Sequence, residues 1–234
     1  MKGVYLMKRS EINRIIKDGI SFLQEQNFKL PPFAFWTPKD WLSKGAEYDE
    51  IRENGLGWDI TDFGYGDYAK KGLFLFTIRN GNQKLNKYKK TYAEKIMIVG
   101  ENQVTPLHFH WSKMEDIINR GGGNLMIQLF NKNLDGTLAD TPVTVHSDGR
   151  KYDVAAGSII RLTPGESITL HVGQYHSFWG EEGSGRVLVG EVSECNDDSI
   201  DNHFFGEAGR FPSIEEDEEP LYFLCNEYPV AKEC

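Results

Sequence analysis

The run Gly100-Glu-Asn-Gln-Val-Thr-Pro-Leu-His108-Phe-His110-Trp-Ser-Lys113-Met-Glu115, closed by Gly121-Gly122-Gly123, decides how the chain is read. Side chains two apart on a strand project to one face, so His108 and His110 converge on one interior point while Phe109 packs on the other side. Glu115 follows five residues later, where a bend after the strand returns a carboxylate toward that point. Imidazoles joined by one carboxylate form a mixed nitrogen and oxygen donor set, which suits Mn2+, Fe2+, Co2+ or Zn2+ better than Mg2+ or Ca2+. The fourth donor has to come from elsewhere. The segment Gly157 to His176 carries strand, Pro164-Gly165 turn, strand and histidine in the order that would bring it, with His176 and His171 as rivals for the position.

Outward from this run, the chain beyond Leu73 reads as short β-prone stretches set off by Gly and Asn or Asp: 73–78, 95–99, 104–110, 125–130, 143–146, 152–154, 158–162, 167–171 and 187–192. Regular short strands of this kind predict a sandwich or barrel. Ser147-Asp148-Gly149-Arg150 predicts a tight hairpin, because Asp-Gly supplies the positive φ such a turn needs, and Pro164-Gly165 predicts a second turn. Upstream, Ser10 is the expected cap of a helix running to about Gln26, with Ile12, Ile15, Ile16, Ile20 and Leu23 at three- and four-residue spacing and Glu11 near its positive end. Pro31 and Pro32 end that region, and Phe33, Phe35, Trp36 and Trp41 with Pro38 read as a wrap over a core. The expectation is one domain over 1–234, with helix and wrap in 1–72 and the barrel core and C-terminal segment in 73–234. The acidic run Glu215 to Glu219 is expected to be a solvated loop.

Composition excludes several partners. Apolar residues make up 39% and charged residues 26% of the 234, the profile of a folded protein. A formal charge of −9 opposes the counterion-release binding that nucleic acid and anionic membranes require, and no Lys/Arg cluster offsets it. The Met1 to Met7 stretch is too short for a signal-peptide core, and no run approaches the roughly 20 apolar residues of a membrane span, so a cytoplasmic location is expected. Cys195, Cys225 and Cys234 form neither an even set nor a CxxC spacing, which predicts reduced thiols.

The two histidine-bearing segments resemble the two conserved motifs of the cupin superfamily, with His108, His110 and Glu115 matching the ligands of the first and His176 the histidine of the second. The spacing departs from the generic pattern: seven residues, not five, separate Gly100 from His108, and the second motif is longer between Pro164-Gly165 and its histidine. Over nearly its whole length the chain is similar to the D-lyxose isomerases, sugar ketol-isomerases of the cupin fold. The matching residues are Met7-Lys-Arg-Ser-Glu-Ile-Asn, the Phe33-to-Trp41 stretch, Glu94-Lys95-Ile-Met, the His108-to-Gly123 run, and Gly190-Glu191-Val-Ser through Asn196-Asp197-Asp198 to Gly209-Arg210-Phe-Pro. The resemblance implies an all-β, cupin-type β-barrel (jelly roll), Mn2+ as the usual ion, His176 rather than His171 as fourth ligand, and a homodimer. It also implies reversible interconversion of D-lyxose and D-xylulose, often with D-mannose and D-fructose.

Such a reaction moves a proton between C1 and C2 while carbonyl and hydroxyl exchange places, so it needs an ion on the oxygens and groups that move the proton. Under the resemblance, Lys113 becomes a burial-depressed ammonium that shuttles a proton or neutralises an oxyanion. Glu191, ending the apolar run Val187-Leu-Val-Gly-Glu, turns its carboxylate inward or pairs with an arginine. Glu207 is the preferred general base and Arg210 a sugar-hydroxyl or orienting contact; Asp201 touches substrate or caps a turn, and His171 is a substrate or supporting group or a structural histidine. Trp111, Phe178 and Trp179 offer faces to a sugar or simply pack. The competing expectations are a sugar-phosphate isomerase, which would need a basic cluster, a dioxygenase, which would need Fe2+ and O2, and a non-catalytic sugar-binding cupin, which would need no proton-transfer groups.

Overall fold

In the computed structural model, which describes residues 6–195 and 197–231, the strands are β1 (Leu6–Lys8), β2 (Gly57–Thr61), β3 (Leu73–Arg79), β4 (Tyr92–Val99), β5 (Thr105–His110), β6 (Glu115–Gly122), β7 (Leu125–Lys132) and β8 (Leu138–Ala139). They continue as β9 (Val143–Ser147), β10 (Arg150–Val154), β11 (Ile159–Leu162), β12 (Ser167–Leu170), β13 (Tyr175–Gly180), β14 (Val187–Glu194), β15 (Asn202–Phe204) and β16 (Ser213–Glu215). The α-helices are α1 (Arg9–Glu25), α2 (Pro38–Trp41), α3 (Asp49–Glu53) and α4 (Asp198–Asp201). One antiparallel sheet runs β10-β9-β12-β6-β14-β4-β3-β2; the other runs β11-β7-β13-β5-β15, with β8 pairing β7. Inserting β12 between β9 and β6, and β13 between β7 and β5, gives the crossovers of a jelly roll, so the expected cupin-type barrel is the fold observed.

The inner faces of the two sheets meet in one core. Leu75, Met97, Ile117 and Val189 come from the large sheet and Leu125, Ile127, Leu129 and Phe178 from the small one. On β7 the pattern is simple alternation, with Leu125, Ile127 and Leu129 buried between partly exposed neighbours. β4 instead buries Ile96 to Val99 without a break, because both of its faces are covered. Met97 and Val99 look into the barrel, while Ile96 and Ile98 meet Ile12, Ile15, Ile16, Phe22 and Leu23 of α1 in a second core with Trp58, Phe74 and Phe76. Each such side chain contributes about 1.5–3 kcal/mol when fully buried. Gly19 permits the close approach of helix to sheet, since a Cβ there would lie 2.2 Å from Phe74 Cε2.

β2, within the stretch assigned to the wrap, forms the edge of the large sheet beside β3. All five of its residues are buried, although apolar Trp58 and Ile60 alternate with polar Asp59 and Thr61. The aromatic wrap itself folds Trp41 against Trp36 and Tyr228. The hairpin at Asp148-Gly149 forms as expected, with φ of 48° and 78°.

The helix start differs from expectation because the acidic run reaches it. Ser10 lies inside α1, and the residue before the helix caps nothing. Asp217 supplies the cap from the far end of the chain, accepting from the Ser10 N–H at 2.9 Å and the Ser10 hydroxyl at 2.7 Å. Arg9, 2% exposed, pairs with Glu216 at 2.7 Å and Glu227 at 2.5 Å, and Asn13 Nδ2 donates to Glu218 Oε1 at 2.6 Å. The run 215–219 stays exposed, as a solvated loop does, while its carboxylates also clasp the positive end of α1, reinforced by the parallel pairing of β1 with β16. Among the described residues no helix is long and apolar enough to cross a membrane. Cys195 and Cys225 are free thiols, and Cys234 lies outside the described residues.

Candidate metal centre and active site

The register of β5 against β13 sets the site. His108 stands directly opposite His176, which places the third imidazole beside the His-x-His pair. After a bend over residues 111–114, Glu115 opens β6 with its carboxylate inside, and Oε1 lies 3.2 Å from Nε2 of both His110 and His176. The three histidines offer nitrogens all within 4.8 Å of one another, and all four side chains are buried.

Two imidazoles have a carbonyl at hydrogen-bond distance behind them, and His110 has a carboxylate at ion-pair distance. Nδ1 of His108 faces the Pro106 carbonyl at 2.8 Å, Nδ1 of His176 faces the Gln174 carbonyl at 3.1 Å, and Nδ1 of His110 lies 3.4 Å from Asp201 Oδ2. With Nδ1 as the protonated nitrogen, each ring turns its Nε2 lone pair inward, the orientation that metal-ligating histidines adopt. The Nε2 of His176 is buried and has no hydrogen-bond partner among the described residues, as a free ligand atom would. Burial, then the neighbouring imidazoles, hold His108 well below the ordinary histidine pKa and so neutral. Burial opposes ionisation of Glu115, but Lys113 and His110 outweigh it and keep the carboxyl well below its usual range. Three imidazoles and one carboxylate fit a divalent transition ion.

Beyond Glu115 the cavity wall is a ladder of alternating charge. Lys113 Nζ lies 2.7 Å from Glu115 Oε2 and 2.9 Å from Glu191 Oε1; Lys95 Nζ lies 3.3 Å from the same Glu191 oxygen and 2.9 Å from Asp198 Oδ2. Arg210 Nη2 closes the series, 3.4 Å from Asp198 and 2.5 Å from Asp59. Burial alone would lower the Lys113 pKa, but Glu115 and Glu191 reverse the sign and raise it above the ordinary lysine value. The expected burial-depressed ammonium is thus corrected to a firmly protonated one. Asp198 likewise stays ionised despite its burial, held well below its usual range by Lys95 and Arg210.

His108, His110, Glu115, His176, Lys113, Glu191, Arg210 and Phe178 all line one cavity, whose empty volume is ≈ 430 Å³. Five other candidates do not meet there. Glu207 is exposed on the loop after β15 and is not among the lining residues, so its position does not suit a general base. Asp201 sits behind His110, accepting from the Ser112 N–H at 2.8 Å and the Ser112 hydroxyl at 2.7 Å, and is not among the lining residues. His171 is exposed, its Nε2 3.0 Å from His146 Nδ1, because it belongs to the turn after β12 and not to β13. Trp111, 55% exposed, packs on Phe109 outside the barrel, and Trp179 also lies away from the lining. The reading of sequence missed Lys95, Asp198, Asp59 and Thr105. For Lys95 a signal was present: it alternates with Ala93, Met97 and Val99, which all point inward.

Fold and donor set together define a cupin-type barrel able to hold a divalent metal beside a buried lysine–glutamate pair. Comparison with known proteins narrows this: residues 7–228 match the family model described as D-lyxose isomerase. The chain is 52% identical over 223 residues to the D-lyxose/D-mannose isomerase of Serratia proteamaculans, covering 95% of this chain and 98% of that one, and equally so to that of Escherichia coli O157:H7. Against the D-lyxose ketol-isomerase of Cohnella laeviribosi the identity is 28%, over 68% of this chain and 82% of the relative. Among solved structures, Acinetobacter sp. DL28 L-ribose isomerase in complex with L-ribose superposes with a TM-score of 0.58 at 14% identity, over 91% of this chain and all of that one, a likeness of fold. The chain belongs to the D-lyxose isomerase family.

Proposed function

We propose that the protein is a metal-dependent aldose–ketose isomerase acting on free sugars, interconverting D-lyxose with D-xylulose and D-mannose with D-fructose. The names of its relatives support the substrates. The observation that carries the chemistry is the sharing of one buried cavity by the four donors and the Lys113–Glu191 pair. A divalent ion held by His108, His110, Glu115 and His176, Mn2+ in our reading, supplies a Lewis acid for the carbonyl and its neighbouring hydroxyl.

The chain's own groups then have distinct tasks. Every contact described for Glu191, from Lys113, Lys95 and Ser193, runs to Oε1. Oε2 is left to take the proton from one carbon and return it to the other. Lys113 keeps its own proton and fixes the carboxylates of Glu115 and Glu191 relative to each other. Asp201 holds the ring of His110 in place, and Arg210, braced by Asp59 and Asp198, presents a donor to a sugar hydroxyl.

The charge ladder also argues for an unphosphorylated substrate. Lys95, Lys113 and Arg210 are each claimed by two carboxylates, so the cavity wall offers no surplus positive charge to a phosphate. We further take the chain as one domain working in the cytoplasm as a homodimer, for which exposed Val192 and Tyr92 on the large sheet and Met114 just before β6 give apolar surface. The test is incubation of protein loaded separately with Mn2+, Co2+, Fe2+ or Zn2+ with D-lyxose and with D-mannose, following ketose. Ketose from both is expected; none with any ion would refute the proposal.

A further inference from the structure

We propose that the hydroxyl of Thr105 positions the sugar by pairing with a substrate hydroxyl remote from the reacting carbons, an inference that rests on the isomerase reading. Thr105 is 3% exposed and lines the same cavity as the metal donors. Its Oγ1 is buried and has no hydrogen-bond partner among the described residues. Buried polar side-chain atoms are nearly always paired, and one left open in a cavity wall marks where a ligand atom belongs.

The surroundings sharpen the assignment. Thr105 is the one hydroxyl side chain among the lining residues, and Phe63, Leu73, Leu75, Met97, Ile117 and Phe178 supply most of the rest of the apolar wall. Valine would fill the same volume there without an orphaned oxygen, so packing does not account for the hydroxyl. The backbone is fixed, because the Thr105 carbonyl accepts from the Ser177 hydroxyl at 2.8 Å and Thr105 stands opposite Phe178 in the β5–β13 register. A β-branched side chain on a fixed strand has few rotamers, so its oxygen is aimed before any ligand arrives. Thr105 and His108 stand opposite Phe178 and His176, two residues or roughly 7 Å apart on β13, and the register shift between them lets both face the cavity, which sets Thr105 toward the end of a ligand away from the ion-binding donors. A hydroxyl can both donate and accept, which suits a sugar hydroxyl. Arg210 Nη1, also buried without a partner, is a second open donor in the same wall.

The test compares wild type with Thr105→Val, Thr105→Ser and Thr105→Ala, all loaded with Mn2+, on D-lyxose, D-mannose and analogues lacking one hydroxyl at a time. Thr105→Val should bind one ion per chain and lose roughly 10- to 100-fold in kcat/KM on the complete sugars, as expected for one unpaired polar group. Thr105→Ser should recover most of that loss. On the analogue lacking the hydroxyl that Thr105 meets, wild type and Thr105→Val should be equally active. Should Thr105→Val fold poorly, Thr105→Ala makes the same comparison. Equal activity of wild type and the variants on complete sugars overturns the inference, as does a loss of the same size on every analogue. Wild type inactive on every aldose would instead remove the isomerase reading, so the two failures are distinguishable.

Discussion

Replacing Asp201 with Asn tests the support behind the metal site without touching a ligand. Asp201 Oδ2 lies 3.4 Å from His110 Nδ1, while Oδ1 accepts both hydrogen bonds from Ser112. Asn keeps the Oδ1 acceptor, and the Asp201 carbonyl continues to accept from the Trp111 N–H at 3.0 Å, so the loop retains its shape. What is lost is the negative charge that fixes the His110 ring and raises its basicity. Losing such a partner typically weakens metal binding by about 10- to 100-fold. Metal binding stabilises the fold by mass action, about 2.7 kcal/mol when free ion stands at 100 times the dissociation constant. At that same ion concentration the variant would gain only about 1.4 kcal/mol for a tenfold loss and about 0.4 kcal/mol for a hundredfold loss. The difference, about 1.3–2.3 kcal/mol, corresponds to about 3–9 °C in melting temperature for a chain of this size. Competition against a chelating indicator gives the affinity, and thermal melts with and without Mn2+ give the linked shift. Wild-type affinity together with a wild-type metal-dependent shift would refute the supporting role of Asp201.

Three further outcomes follow from the site and the clasp. Lys113→Met should lower turnover of D-lyxose by about 10²- to 10⁴-fold while bound metal, read by atomic absorption, stays near one per chain. Glu207→Gln should leave kcat/KM within about threefold of wild type, since the side chain is exposed and off the cavity wall; a larger fall would restore it as a proton-transfer group. Arg9→Met should cost about 1–3 kcal/mol in urea unfolding at pH 7, because the buried cation leaves Glu216 and Glu227 facing each other, though both are partly solvated. Arg9 holds the Glu216 carboxyl below its ordinary value of 4.5, and Ser10 holds Asp217 below 3.8. A carboxylate with a depressed folded-state pKa stabilises above its unfolded pKa and loses that contribution as pH falls through the folded one. The gap between wild type and Arg9→Met should therefore be full at neutral pH and narrow below about pH 4.

The parts legible in the sequence were those set by local rules. Period-two geometry put His108 and His110 on one face, and Asp148-Gly149 announced its own hairpin. The choice of His176 over His171 depended on the register of β13 against β5, which spacing alone does not reveal. Most of β4 lies between two cores and lacks the alternation that marks a half-buried strand, while the short β2 alternates over only Trp58 to Thr61. The clasp was hidden by distance, since Arg9 and Glu216 stand 207 residues apart and an acidic run looks the same whether it meets water or a helix end. Lys95 is different. Its inward position was readable from Ala93, Met97 and Val99, and an inward lysine should have prompted a search for the carboxylates that hold it.

The account stands most directly on where a single ion binds. In crystals grown with Mn2+, an anomalous difference map should show one strong peak per chain, enclosed by the Nε2 atoms of His108, His110 and His176 and the carboxylate of Glu115. A barrel cavity without a peak, or a peak held instead by half-buried His146 and exposed His171, would contradict it.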